Sequence, residues 1–146
     1  MKGFGIRKDG SLGWIEKDDP VLSPYDALIK PLAVGAYSSD VYYSIYESIY
    51  EEGTDLILGH EAVGEVIKVG DEVKDFKPGD RVVVPTITPD WRTTQIQDIG
   101  IPQHSGGLLD GWKLSITEDG ALADVFRVND ADMNLAILPE EISLEA

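Results

Sequence analysis

Turn-forming residues recur along this chain about every ten residues, which leaves room for little but short strands between them. Asp9-Gly10 stands between "GFGIR" and "SLGWIEK", the commonest short hairpin signal, and predicts two strands paired around it. "YDALIKPLAV" reads as a third strand with Pro31 inside it. A proline cannot donate to a ladder, so an edge or a bulge is expected at that point. "EAVGEVIKVG" and "DRVVVP", rich in Val and Ile, read as strands either side of "DEVKDFKPGD", where Pro78-Gly79-Asp80 supplies the turn. "KLSITEDGALADVFRVN" reads as a strand pair around Asp119-Gly120, and "MNLAILPEE" as a short apolar segment with a polar end.

One stretch has helical periodicity. In "SSDVYYSIYESIY" the apolar Val41, Ile45 and Ile49 recur every four residues. Ser38 or Ser39 can cap its first N–H groups, and Asp40 in the first turn suits the helix dipole. From Thr86 to about Gly111 the chain is polar and broken by Pro89, Pro102, Gly106 and Gly107; loops of that length in compact domains tend to carry function or to move. Many short strands and one helix predict a mainly β barrel or sandwich.

Charge and composition exclude several function classes. The 146 residues suit one domain, and 42% hydrophobic with 27% charged is ordinary for a globular protein. A net charge of -15 opposes binding to nucleic acid or to an anionic membrane surface. No apolar run approaches the ~20 residues of a membrane helix. The start, "MKGFGIRKDG", has no secretory h-region, so a cytoplasmic location is expected. There is no cysteine, hence no disulfide, thiolate nucleophile or Cys-ligated zinc. "GGLLDG" at Gly106–Gly111 has the wrong spacing for a dinucleotide fingerprint.

The stretch "LILGHEAVGEV" sets His60 beside Glu61 immediately after Gly59. Successive residues of a regular strand face opposite ways, so both could reach one metal ion only if the chain bends at Gly59. His104 has no partner at ligand spacing and reads as structural.

"GHEAVGEVIKVG", "FKPGDRVVVP", "HSGG" and "ADVFRVN" together resemble the catalytic domain of zinc-dependent medium-chain alcohol dehydrogenases. "LGWIEK", "TPDW" and "GWK" resemble its bacterial secondary-alcohol branch, which uses NADP. The resemblance runs along essentially the whole chain. It implies a partly open GroES-like β-barrel with one or two short helices, spanning residues 1–146 as a single domain, with the family's Rossmann cofactor domain absent.

The resemblance also implies a site. In the family the catalytic zinc is held by a Cys, by the His and Glu of the GHE motif, and by an Asp farther along the chain. His60 and Glu61 match, but Tyr37 stands where the Cys is expected. A phenol ionises near about 10 and is bulkier than a thiol, whereas catalytic zinc needs three protein ligands and an open position. The expectation is a vestigial, metal-free pair, with the Tyr37 ring filling the cavity. The family's relay His is matched by Tyr42, a poor proton shuttle. Ser39 matches the hydroxyl that meets the alcohol oxygen, and Asp40 falls at a motif position; helix capping and first-turn charge explain both equally. Ile87 and Trp112 match substrate-pocket positions and would serve equally as packing.

Neither zinc nor NADP is therefore expected in this chain, although both belong to the family. Three readings follow: a catalytically inactive alcohol dehydrogenase-related domain; a binding or regulatory subunit that self-associates or docks on a full-length dehydrogenase, with Thr86–Gly111 as a contact; and a zinc oxidoreductase completed in trans.

Overall fold

A computed structural model describes residues 1–40, 53–92 and 113–144. The helical segment beyond Asp40, with Tyr42, lies outside the described residues, as do Trp112, His104 and the 93–112 portion of the long polar stretch.

The Asp9-Gly10 turn joins β1 (Lys2–Ile6) to β2 (Leu12–Glu16) in an antiparallel hairpin, Lys2 opposite Glu16 and Ile6 opposite Leu12. The Asp9 carboxylate accepts from the N–H and the hydroxyl of Ser11, which closes the turn. On its other side β1 pairs with the two-residue β4 (Leu56–Ile57), giving a sheet ordered β2-β1-β4. In β2, Gly13 and Ile15 face inward while Leu12, Trp14 and Glu16 are exposed, the alternation of a sheet with one covered face.

The larger sheet runs β7-β3-β5-β6-β8. Its centre is β3 (Ala27–Val34) against β5 (Ala62–Val69), with Ala27 opposite Val69 and Val34 opposite Ala62. The register slips once between Leu28 and Ile29 and again between Pro31 and Ala33. On its outer side β3 pairs with β7 (Phe126–Val128) only through Ala27–Ile29. Pro31 thus lies both at a bulge and beyond the reach of β7, as its missing N–H requires. Asp80 closes the turn from β5 into β6 (Arg81–Val84) by accepting the Lys77 N–H. The short helix α1 (Ala131–Asn134) leads into β8 (Ala136–Ile137) on the far edge.

The inward rows of this sheet make the core. Ala27, Ile29, Val66, Val82, Phe126 and Val128 are fully buried, with Ala121 and Ala131 packed among them. The two sheets do not close on each other, so the barrel is partly open.

The expected strand pair around Asp119-Gly120 is not formed. Residues 113–118 make a tight turn in which Lys113 O accepts from the N–H groups of Ile116, Thr117 and Glu118. Residues 120–124 then lie between the sheets: Gly120, Ala121 and Leu122 donate to Ile57, Gly59 and Leu58, and Ala123 bridges Gly3. A side chain at Gly120 would meet the backbone oxygens of Gly59 and Leu58 at 2.3 and 2.4 Å. The glycine read as a hairpin signal is thus there for close backbone approach.

Candidate functional site

The sequence-predicted residues divide into two groups, set apart by one backbone turn. Gly59 has φ +93, where a side chain would strain the backbone, and its Cβ would meet Leu122 N at 2.8 Å. This is the bend that the His60–Glu61 pair required.

His60 points inward and is 1% exposed. Its Nδ1 lies 3.4 Å from Asp40 Oδ1, and its Nε2 lies 3.5 Å from Ser39 Oγ. Asp40 is buried and is the third residue of the helical turn at 38–40. One of its carboxylate oxygens accepts from Tyr37 N and the other from Gly59 N. The N–H of Tyr37, the residue before this turn, is therefore held by Asp40 reaching back to it, the acidic half of a capping box. Ser38 and Ser39, expected as caps, already lie inside the turn. Burial pushes the Asp40 carboxyl upward, but the hydrogen bonds from His60, Tyr37 and Gly59 outweigh it and hold the group below the ordinary carboxylate range.

Glu61 faces the other way. It is exposed, and its Oε1 accepts from the Thr86 hydroxyl at 2.6 Å. Its partner is thus a hydroxyl. Thr86 was missed as a site residue; its signal was its place at the first residue after "DRVVVP". Ile87, next in the chain, is 37% exposed.

Tyr37 does not fill a cavity. It is 56% exposed, and its ring meets the His60 imidazole edge-on at 5.9 Å between centroids. The reason is local: Tyr37 precedes the helical turn and its N–H is tied to Asp40, so the ring leans over His60 from outside.

Among the described residues no group of three or more His, Asp or Glu lies together in a way that could hold a metal ion. His60 is engaged with Asp40 and Ser39, and Glu61 with Thr86. These donors do not fit a catalytic zinc with three protein ligands. The order Ser39, His60, Asp40 resembles a nucleophile relay, but 3.5 and 3.4 Å exceed the roughly 2.6–3.2 Å that proton transfer needs. What the arrangement does is hold an oriented imidazole under an aromatic ring.

Residues 23–140 match the family model described as the alcohol dehydrogenase GroES-like domain. The NADP-dependent isopropanol dehydrogenase of Thermoanaerobacter brockii is 59% identical over the whole of this chain, which covers 41% of that protein. The enzyme of the same name from Clostridium beijerinckii is 55% identical over 99% of this chain and 41% of its own. Among solved structures, alcohol dehydrogenase TADH from Thermus sp. ATN1 superposes with a TM-score of 0.78 at 27% identity, covering 99% of this chain and 42% of that one. The chain therefore spans about two fifths of the length of the curated relatives it matches, and it belongs to the alcohol dehydrogenase GroES-like domain family.

Proposed function

We propose that this chain is an alcohol dehydrogenase-family domain with a degenerate metal site, and that it performs no zinc-dependent alcohol oxidation through that site. The observation that carries the reading is the donor set around His60. The imidazole faces a carboxylate and a hydroxyl inside the fold, Tyr37 occupies the approach, and Glu61 is bonded elsewhere. A metal entering here would have to displace Thr86 from Glu61 and take a phenol in place of a thiolate, and both substitutions weaken a zinc site. The reading depends on Tyr37, whatever cofactor-binding segment accompanies the domain.

The test is zinc content by elemental mass spectrometry, before and after dialysis against excess zinc, with His60→Ala and Tyr37→Cys alongside. Sub-stoichiometric zinc in the unmodified chain, unmoved by His60→Ala, is expected, with more retained by Tyr37→Cys. One tightly held zinc per chain, lost in His60→Ala, would overturn the proposal.

A second reading, a binding or regulatory subunit, is favoured by a groove between the sheets. The groove has a volume of about 800 Å³ and is lined by Phe4, Trp14, Leu32, Val34 and Leu122. Trp14 is 62% exposed and stands edge-on to Phe4. Exposed apolar patches of this kind mark partner sites. In this reading the occupant is a second copy of the chain or a full-length dehydrogenase of the family. A monomer on sizing, together with no recovery of dehydrogenase by the immobilised chain, would remove it.

A further inference from the structure

Away from the His60 site, the β1–β2 hairpin leaves one long edge open. At its turn end Arg7 N donates to Ser11 O, and at its other end Met1 and Lys17 exchange both of their backbone bonds. Bonded and non-bonded pairs alternate along an antiparallel ladder, so Gly5–Gly13 and Gly3–Ile15 are the bonded pairs between those ends. Leu12, Trp14 and Glu16 therefore turn their N–H and C=O groups away from β1, toward the outer side of the sheet ordered β2-β1-β4. Among the described strands at sheet edges β2 is the longest, with five residues against three in β7 and two each in β4 and β8.

An edge of that length is a template for another strand. It also suits a second copy of itself. Two β2 strands paired antiparallel about Trp14 would set Leu12 opposite Glu16 and Trp14 opposite Trp14, the central pair exchanging both backbone bonds. Trp14 is 62% exposed and Leu12 45%, so the pairing would also bring apolar side chains together on one face.

One bond of that central pair is already occupied from within the chain. Arg7 Nε donates to Trp14 O at 3.3 Å, and Arg7 Nη1 lies 3.5 Å from Ser11 Oγ. The guanidinium reaches the edge by crossing β2 at Gly13, where any side chain would run into it. The glycine is what lets Arg7 lie across the strand.

We propose that Arg7, passing over Gly13, closes the β2 edge to strand addition by a second copy of this chain. A cation on an edge resists burial in a new ladder, and it withholds the one carbonyl on which the two-fold pairing centres. Repulsion from the net charge of -15 opposes every approach and fades in salt, whereas Arg7 blocks this edge in particular. The proposal is independent of the His60 site and of the apolar groove, whose occupant would cover side chains without extending the ladder.

The experiment compares the unmodified chain with Arg7→Met and Gly13→Ala, by sedimentation and by hydrogen exchange at single amides, in about 0.15 M salt. Arg7→Met removes the donors and keeps the aliphatic stem. Gly13→Ala keeps Arg7 and its charge but pushes the guanidinium off the edge. In the unmodified chain the Leu12 and Trp14 amides are expected to exchange fast at every concentration, while those of Gly13 and Ile15 are protected. Both variants are expected to form a dimer as concentration rises, with exchange at Leu12 and Trp14 slowing by about tenfold or more. Adding Leu12→Pro, which removes an outward N–H only, is expected to restore the monomer. A folded variant that stays monomeric, or a dimer whose Leu12 and Trp14 amides stay fast, would overturn the proposal; the second result would place the contact on the groove. Slow exchange at Leu12 and Trp14 in the unmodified chain would overturn it equally. Protection at Ile15 reports that a variant is folded, and should one variant not fold, the other decides.

Discussion

At the scale of single residues, Asp40 organises more of the site than any residue the sequence singled out for metal. Its carboxylate holds the N–H groups of Tyr37 and Gly59 and faces His60 Nδ1. Asp40→Ala leaves these buried donors without an acceptor and is expected to cost about 2 to 4 kcal/mol in chemical denaturation. Because the Asp40 carboxyl is held below its ordinary 3.8 in the fold, its contribution is complete above that value and lost as pH falls through the lower one. Asp40→Asn is therefore expected to flatten the acid limb of a stability-against-pH curve. Gly59→Ala combines a left-handed backbone with a clash at Leu122 N and is expected to cost at least about 2 kcal/mol, read in the same way.

At the scale of elements, the legible parts were those determined by local chemistry. The Asp9-Gly10 hairpin, the Pro78-Gly79-Asp80 turn, the bulge at Pro31 and the bend at Gly59 all follow from neighbours a few residues apart. The segment 113–125 did not, because its partners lie across the molecule. Asp119 accepts the Ile57 N–H at 3.0 Å and pairs with Lys17 at 2.6 Å, and neither contact leaves a trace in local periodicity. The site was half legible. The residue types were readable by resemblance, but the direction of Glu61 depends on Thr86, and the exposure of Tyr37 depends on Asp40. Asp119→Ala is expected to leave the β1–β2 hairpin intact while loosening β4. Hydrogen exchange should then accelerate at Ile57 and Gly120 but not at Ile15. Phe126→Ala, at the centre of the core, should instead lower global stability by about 3 to 5 kcal/mol.

At the scale of the whole molecule, the excess of acid is the dominant long-range force. With 27 acidic and 12 basic residues, self-repulsion opposes the compact state, and added salt screens it over a Debye length of about 10 Å at 0.1 M. The melting temperature is expected to rise with sodium chloride up to about 0.5 M, whereas an unchanged or falling value would mean that the ion pairs outweigh the repulsion. The connection between the sheets has a different consequence, for the order of events on the ribosome. Lys2 donates its N–H to Asp124, and Asp130 donates to Asp26, contacts that span 122 and 104 residues of chain. β1 must wait until residues 120–124, more than a hundred residues farther on, have been made before one of its neighbours exists. Such distant closure makes for slow assembly. Until it occurs, the hairpin that carries Trp14 stands with its inner face uncovered, and that interval is when a nascent chain of this kind would need a chaperone.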